Sequence, residues 1–376
     1  MRVIRLLSLV TTVSLLFVTG CEKKKDVAEY DTAGSMELKY AEQFSVDYCE
    51  NGCSVVDING DKFLIVPEGV FVPDDTSGMA VIKQPVDNIY VAATSTMDLF
   101  DGIGKLDKVT MTSTNAESWS LPVIKEAVDS GDIEYIGKYS SPDYETLIAE
   151  ECGLALESTM IYHCPKVKEQ IESFGIPVMV DRSSYETHPL GRMEWIKLYG
   201  LLTGDYDSAE KIFNDKTKAF EELSISDIPD SERKTAAFFY ITSNGYVSIR
   251  KPGDYVSKMI ELAGGKYIFT AEQLNVEDNA LSTMNIQTET FYELAHDADY
   301  LIYNSTVDGE IDSIEQLIAK NSILADFKAV KSGNVWCTGQ NMFQQTTGAA
   351  DMICDLNAVF MDESESGELT FLHKLN

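Results

Sequence analysis

From about residue 87 the chain repeats one rhythm, a short apolar run, then a helical pattern, then another short apolar run. Residues 89–93, 109–111, 133–137, 154–158 and 177–180 read as strands, with helices over 121–129, 144–151 and 166–174 between them. Strands joined through helices at this spacing predict a parallel, doubly wound sheet, because parallel neighbours need a crossover long enough to return along the sheet. A helical region follows. Pro189 suits a first-turn position, the pattern runs through Trp195, Leu198 and Leu202, and Gly204-Asp205 interrupts it. Over 207–223, Ala209, Ile212, Phe213, Phe220 and Leu223 share one face of a helix. Beyond residue 232 the alternation resumes, with strands over 235–241, 300–303 and 334–337 and helices near 255–262, 289–295, 314–318 and 351–361. The predicted fold class is α/β, with an N-terminal lobe over 87–206, a connecting helix over 207–223 and a C-terminal lobe over 232–376. Ligands of open α/β sheets sit beyond the carboxyl ends of the strands, so two such lobes predict a cleft between them.

Residues 36–86 differ. Phe44, Val46 and Tyr48, then Val55 to Ile58, then Phe63 to Val66 alternate as strands, with Asn51-Gly52 and Asn59-Gly60 between them. This predicts a small antiparallel β-meander leading into the first lobe. Ahead of it, Arg2 and Arg5 precede an apolar run over 6–18, too short to span a bilayer. The run closes on Val18-Thr19-Gly20-Cys21, which resembles a bacterial lipobox. Residues 1–20 therefore read as a signal peptide, Cys21 as the lipidated residue and 21–35 as a solvated tether. The expected location is extracytoplasmic, lipid-anchored to the bacterial cell membrane. A net charge of −31 argues against nucleic acid and anionic lipid as partners.

Six cysteines follow Cys21: Cys49, Cys53, Cys152, Cys164, Cys337 and Cys354. Cys49 and Cys53 flank a turn signal, so a local bridge and buried free thiols stand as alternatives. Only four histidines occur, and no metal site or cofactor is expected. No Gly-x-Gly-x-x-Gly, Walker, Gly-x-Ser-x-Gly or His-Glu-x-x-His pattern is present, which argues against an enzyme.

Four segments carry a family resemblance: Gly137 with Ser141-Pro142-Asp143-Tyr144-Glu145, Phe174-Gly175-Ile176-Pro177-Val178, Leu262-Ala263-Gly264-Gly265, and Ser332-Gly333-Asn334-Val335-Trp336. In order and spacing they are similar to ABC importer substrate-binding lipoproteins of the iron–siderophore, haem and cobalamin class. The resemblance implies two Rossmann-like lobes bridged by one rigid helix, with little closure on binding. It also implies a permease dimer with its ATPase as partner, docked through one Glu on each lobe, which fall on Glu145 and Glu289. The sequence departs from the family at 150–156, and the resemblance implies nothing about the meander.

Arginine usage gives a separate clue. Beyond the leader the chain has only Arg182, Arg192, Arg233 and Arg250, and all but Arg233 fall near expected cleft ends, Arg250 beside Lys251. Guanidinium matches carboxylate, phosphate and catecholate oxygens in planar fork geometry. These residues are the expected anchors for an anionic metal chelate, with internal salt bridges as the alternative. Trp119, Tyr139, Tyr162, Tyr185, Tyr240, Tyr246 and Trp336 are the expected aromatic walls. His163 and His188 are the histidines a haem reading would use. The expected function is capture of an iron chelate, a ferric siderophore first and haem or cobalamin as alternatives.

Overall fold

The computed structural model describes residues 30–223, 228–276, 282–364 and 369–376. The leader and Cys21 lie outside the described residues.

Strands β1 (Thr32–Ser35), β2 (Ser45–Cys49), β3 (Ser54–Ile58), β4 (Asp61–Val66) and β5 (Ala80–Lys83) form one sheet in that order. β1 to β4 run antiparallel, and β5 joins β4 in parallel. Two expectations are corrected here. The meander gains a parallel fifth strand, and the tether expected over 21–35 ends early because Thr32–Ser35 pairs with β2. All four β1 residues are exposed, so only backbone pairing holds them and no apolar pattern marks them as a strand.

The first lobe comprises β6 (Ile89–Val91), α1 (Thr94–Gly102), β7 (Val109–Thr112), α2 (Pro122–Ser130), β8 (Glu134–Tyr135), α3 (Tyr144–Ala149), β9 (Leu154–Ser158), α4 (Pro165–Ser173) and β10 (Val178–Asp181). Its sheet is wholly parallel, in the order β10-β9-β6-β7-β8. The order reverses between β6 and β9, the crevice where open sheets bind ligands. Helices α5 (Pro189–Glu194), α6 (Ile196–Leu202) and α7 (Tyr206–Glu221) follow. At 1.5 Å per residue α7 is a rod of about 24 Å, burying Ala209, Phe213 and Thr217.

The second lobe runs β11 (Thr235–Ile241), β12 (Val247–Arg250), α8 (Tyr255–Leu262), β13 (Lys266–Tyr267), β14 (Thr283–Ile286), α9 (Thr288–Ala295), β15 (Tyr300–Tyr303), α10 (Ile314–Lys320), α11 (Lys328–Ser332), β16 (Val335–Thr338), α12 (Ala349–Phe360) and β17 (Leu372–Lys374). The fold is α/β, two lobes joined by one long helix, as the alternation predicts. This second sheet is mixed rather than purely parallel. The chain turns straight back after β11, so β12 pairs antiparallel with it and β14 antiparallel with β12, while β17 closes the far edge against β16.

What seats the N-terminal sheet on the lobes is a pair of buried carboxylates. Glu194 is wholly buried and accepts from the backbone N–H groups of Lys39 (2.9 Å), Tyr40 (2.7 Å) and Ala41 (2.9 Å) and from Lys197 Nζ (2.8 Å). Glu186 accepts from the next two N–H groups, Glu42 (2.9 Å) and Gln43 (3.0 Å), and from the Trp195 indole (2.9 Å). Burial pushes the Glu186 carboxyl up, and those donors work against the rise. Gly191 permits the approach, since a Cβ there would stand 2.8 Å from the Tyr40 carbonyl oxygen. Removing one partner of a buried charge network strands the others, at about 3–5 kcal/mol. Glu194→Ala is therefore expected to lose that much stability in urea unfolding. Glu194→Gln, which keeps an acceptor, should lose less.

Candidate functional site

The two lobes meet at the loop following β16. Gln344 accepts from Ser120 N–H and donates to the Ser118 carbonyl, both at 2.8 Å. Thr346 donates to the Ser95 carbonyl (2.8 Å), and Thr347 N–H donates to the buried Asp98 carboxylate (2.7 Å). Ser95 and Asp98 open α1 after β6, and Ser118 and Ser120 follow β7, so the carboxyl ends of strands in both sheets border this junction.

One arginine cluster lies at the carboxyl end of β10 in the first sheet, and another reaches the second lobe from α5. On the first lobe, Arg182 follows β10 and donates from Nη1 to the Tyr162 hydroxyl (3.3 Å) and from Nη2 to Gln43 Oε1 (3.3 Å), with its guanidinium 4.6 Å from the centre of the Tyr185 ring. On the other side, Arg192 of α5 lies 4.0 Å over Tyr255, the first residue of α8. Pro189, Arg192, Tyr255, Met259, Met342 and Phe343 border a shallow recess. Neither Arg182 nor Arg192 has a carboxylate partner among the described residues.

Several expected ligand contacts are corrected. Arg250 is nine-tenths buried and holds the Asp254 carboxylate through Nε and Nη2, both at 2.7 Å, so it realises the internal salt-bridge alternative. It still braces the recess, 5.1 Å from the Tyr255 ring and 5.3 Å from Phe343. Lys251 is nearly as buried beside it. Trp119 is buried in the core, its indole donating to the Thr114 carbonyl (3.3 Å). Trp336 lies within β16, where all four residues are buried. Tyr240 is part of β11, and Tyr139 is half-buried against the first lobe's core. Tyr240 and Trp336 thus stand inside the strands expected over 235–241 and 334–337 rather than in loops beyond them, and Trp119 and Tyr139 pack in turns. His188 is used internally: Nδ1 accepts from Leu190 N–H, the ring stacks on Tyr40, and burial lowers its pKa to about 4. Tyr162, His163, Tyr185 and Tyr246 are exposed. Sequence reasoning missed Gln43, Tyr255 and Phe343. Only Tyr255 carried a signal, an aromatic directly after the helix-capping Asp254.

Glu145 and Glu289 are both exposed in the first turns of α3 and α9. Those helices follow β8 and β14, which are edge strands of their sheets. β14 runs in the same direction as β11, so both carboxylates stand at outer corners on the carboxyl side of the sheets.

A sequence profile described as periplasmic binding protein matches residues 89–342, most of both lobes. The chain belongs to the periplasmic binding protein family. Members of that family are solute-binding proteins rather than enzymes. A lipoprotein of Methanocaldococcus jannaschii is 26% identical over 342 residues, covering 87% of this chain and 82% of the relative. A second lipoprotein of that organism is 25% identical over 371 residues, covering 90% and 85%. Among solved structures, a periplasmic heme binding protein from Pseudomonas aeruginosa superposes with a TM-score of 0.58 at 16% identity, covering 77% of this chain and 98% of that one. The periplasmic catecholate-siderophore binding protein VctP from Vibrio cholerae gives 0.57 at 16%, covering 74% and 95%. Among the described residues no helix is long and apolar enough to cross a membrane.

One group in this periplasmic binding protein is exceptional. Glu157, in β9 beside the crevice between β6 and β9, is wholly buried, and neither carboxyl oxygen has a hydrogen-bond partner among the described residues. Burial pushes its carboxyl up to about 8. Burial, and after it the nearby Glu157 carboxyl, push up the phenols of Tyr90 and Tyr144. A folded pKa above the unfolded one means that the native state keeps this proton between about pH 4.5 and 8 and stability falls as pH rises through that window. Thermal midpoints measured from pH 5 to 9 should fall accordingly, by on the order of a few kcal/mol in stability. In Glu157→Gln that slope should flatten, with the variant more stable than the parent at pH 8.

Proposed function

We propose that this chain, anchored outside the cytoplasm through a lipid on Cys21, captures an anionic iron chelate, a ferric siderophore first, and delivers it to an ABC permease. The observation that carries the reading is a pair of arginines without carboxylate partners, Arg192 at the interlobe recess and Arg182 at the carboxyl end of β10 in the first sheet. In a chain with 61 acidic residues against 30 basic ones, a carboxylate is the commonest neighbour a guanidinium could find. Arg182 and Arg192 instead lie against tyrosine rings. Cation–π contact steadies a guanidinium without consuming its in-plane donors, so those of Arg192 and the second N–H of each Arg182 terminal nitrogen remain for carboxylate or catecholate oxygens. Exposed Tyr162 and Tyr185 supply apolar surface on the same side. A haem cargo is the second reading, supported by exposed Tyr162 and His163 on one turn after β9, both of types that ligate haem iron.

Calorimetric titration with a ferric catecholate, haemin and cyanocobalamin tests both readings. The expected result is saturable binding of the catecholate, weakened about 10- to 100-fold in Arg192→Ala and in Arg182→Ala, as loss of one charge-assisted hydrogen bond implies. Haemin binding lost in Tyr162→Phe would instead support the second reading. Unaltered catecholate affinity in both arginine variants would sink the first.

The corner positions of Glu145 and Glu289 support docking to basic pockets on two permease subunits, since two separated charges on rigid helix starts set both position and orientation. Glu145→Arg and Glu289→Arg should leave ligand affinity within about twofold while uptake by cells falls at least tenfold, a difference read by pairing titration with radiolabelled transport. Uptake at the parental rate in both would remove the docking assignment.

A further inference from the structure

The N-terminal sheet lies outside the family match, which begins at residue 89, and it carries a thiol pair. β2 and β3 pair in strict register, Ser45 with Asp57 through Tyr48 with Ser54. One step further along, Cys49 opposes Cys53. Cys49 N–H donates to the Cys53 carbonyl (2.9 Å), and Gly52 N–H returns to the Cys49 carbonyl (3.0 Å). Gly52 closes the turn at φ 85°, a conformation that L side chains rarely adopt. Directly opposed residues of an antiparallel pair have Cα atoms about 4.5–5.5 Å apart, within the 4.4–6.8 Å span of disulfides. Opposed residues also share a face, which puts both free thiols on the same side of the sheet. Cys53 packs with Leu64 and Val66 under Tyr30, Val70 and Met79. Both thiols are buried and pushed up in pKa, and Cys53 itself contributes to the rise at Cys49.

We propose that Cys49 and Cys53 form a disulfide that closes the β2–β3 hairpin during folding, by exchange with a low-molecular-weight disulfide. The Cys49 thiolate attacks one sulfur of the oxidant, whose other sulfur leaves as a thiol. The Cys53 thiolate then attacks Cys49 Sγ and displaces the second thiol. Two protein thiols are oxidised, one disulfide is reduced to two thiols, and the two cysteine protons end on them. Exchange precedes burial, because raised pKa and exclusion of solvent make both thiols slow nucleophiles once the sheet is packed. The bridge has a mechanical sense. Thr32 of β1 pairs with Cys49, and Glu50 N–H donates to the Asp31 carbonyl, so the hairpin holds the strand on which the chain from Cys21 hangs.

The test is refolding of the reduced, urea-unfolded chain in a mixture of oxidised and reduced glutathione, followed by alkylation under denaturing conditions and cleavage after Lys and Arg. The segment 40–62 contains both cysteines, no other cysteine, and no internal cleavage site. It is expected unalkylated and about 2 Da lighter than its reduced form, gaining two alkyl groups only after reduction. Alkylation of both without reduction, or linkage of either to Cys152, Cys164, Cys337 or Cys354, would overturn the proposal. As a second readout, reductant should lower the thermal midpoint of the refolded parent and leave Cys49→Ser/Cys53→Ser unmoved. An equal drop in that variant would place the responsible bridge elsewhere and likewise overturn it.

Discussion

Five consecutive backbone N–H groups, those of residues 39–43, end on two buried carboxylates, and the layout of the molecule follows from that contact. Glu186 and Glu194 sit at either end of the short stretch that leads from the first lobe into α5 and α6. By holding the incoming N-terminal segment there, they tie the extra sheet to the two short helices that precede α7. The contact also brings Gln43 to Arg182, so a residue from outside both lobes helps set the cleft. A buried carboxylate is costly unless its oxygens are filled. Here each is filled by donors that would otherwise be unsatisfied themselves, and the two desolvation costs offset one another.

The same accounting separates the arginines. Arg250 has spent its charge on Asp254 and serves as a brace behind Tyr255 and Phe343. Arg192, across the same tyrosine ring, has not. A charge that is paired and buried contributes position, and one left against an aromatic face keeps its capacity to bind. Glu157 is the converse, a carboxyl kept neutral by burial at the crevice of the first sheet. Just beyond it, the turn after β9 carries Tyr162, the hydroxyl that Arg182 contacts.

How far this was legible in the sequence divides along physical lines. Long, strongly periodic elements read well: residues 154–158, 235–241 and 300–303 are strands as expected, and α7 departs by one or two residues. The short strands β12 and β14 were missed because Val-Ser-Ile-Arg and Thr-Met-Asn-Ile show too little alternation to stand out. β1 was missed because nothing in it is buried. The acidic clamp left no trace, for its donors are backbone groups some 150 residues away. Counting arginines pointed to the right region but could not tell Arg192 from Arg250, since pairing depends on where Asp254 caps α8. The tryptophans failed for a simpler reason. Large aromatics at strand ends are more often packed than presented, and both Trp119 and Trp336 are packed.

An acidic protein that presents cationic side chains at its interlobe junction faces a long-range and a short-range field of opposite sign. Electrostatic screening at physiological ionic strength reduces distant charges within about 8 Å. An anionic solute approaching from afar therefore meets a surface that repels it only weakly. At the junction the balance changes, because half-buried guanidinium groups are screened less than surface carboxylates. The net negative charge then serves solubility and discourages polyanions, whose many charges sum the repulsion. A compact anion is free to respond to the few unpaired cations it reaches. Selectivity for a small anion over a large one can thus arise from the distribution of charge, without any contact that recognises the large one.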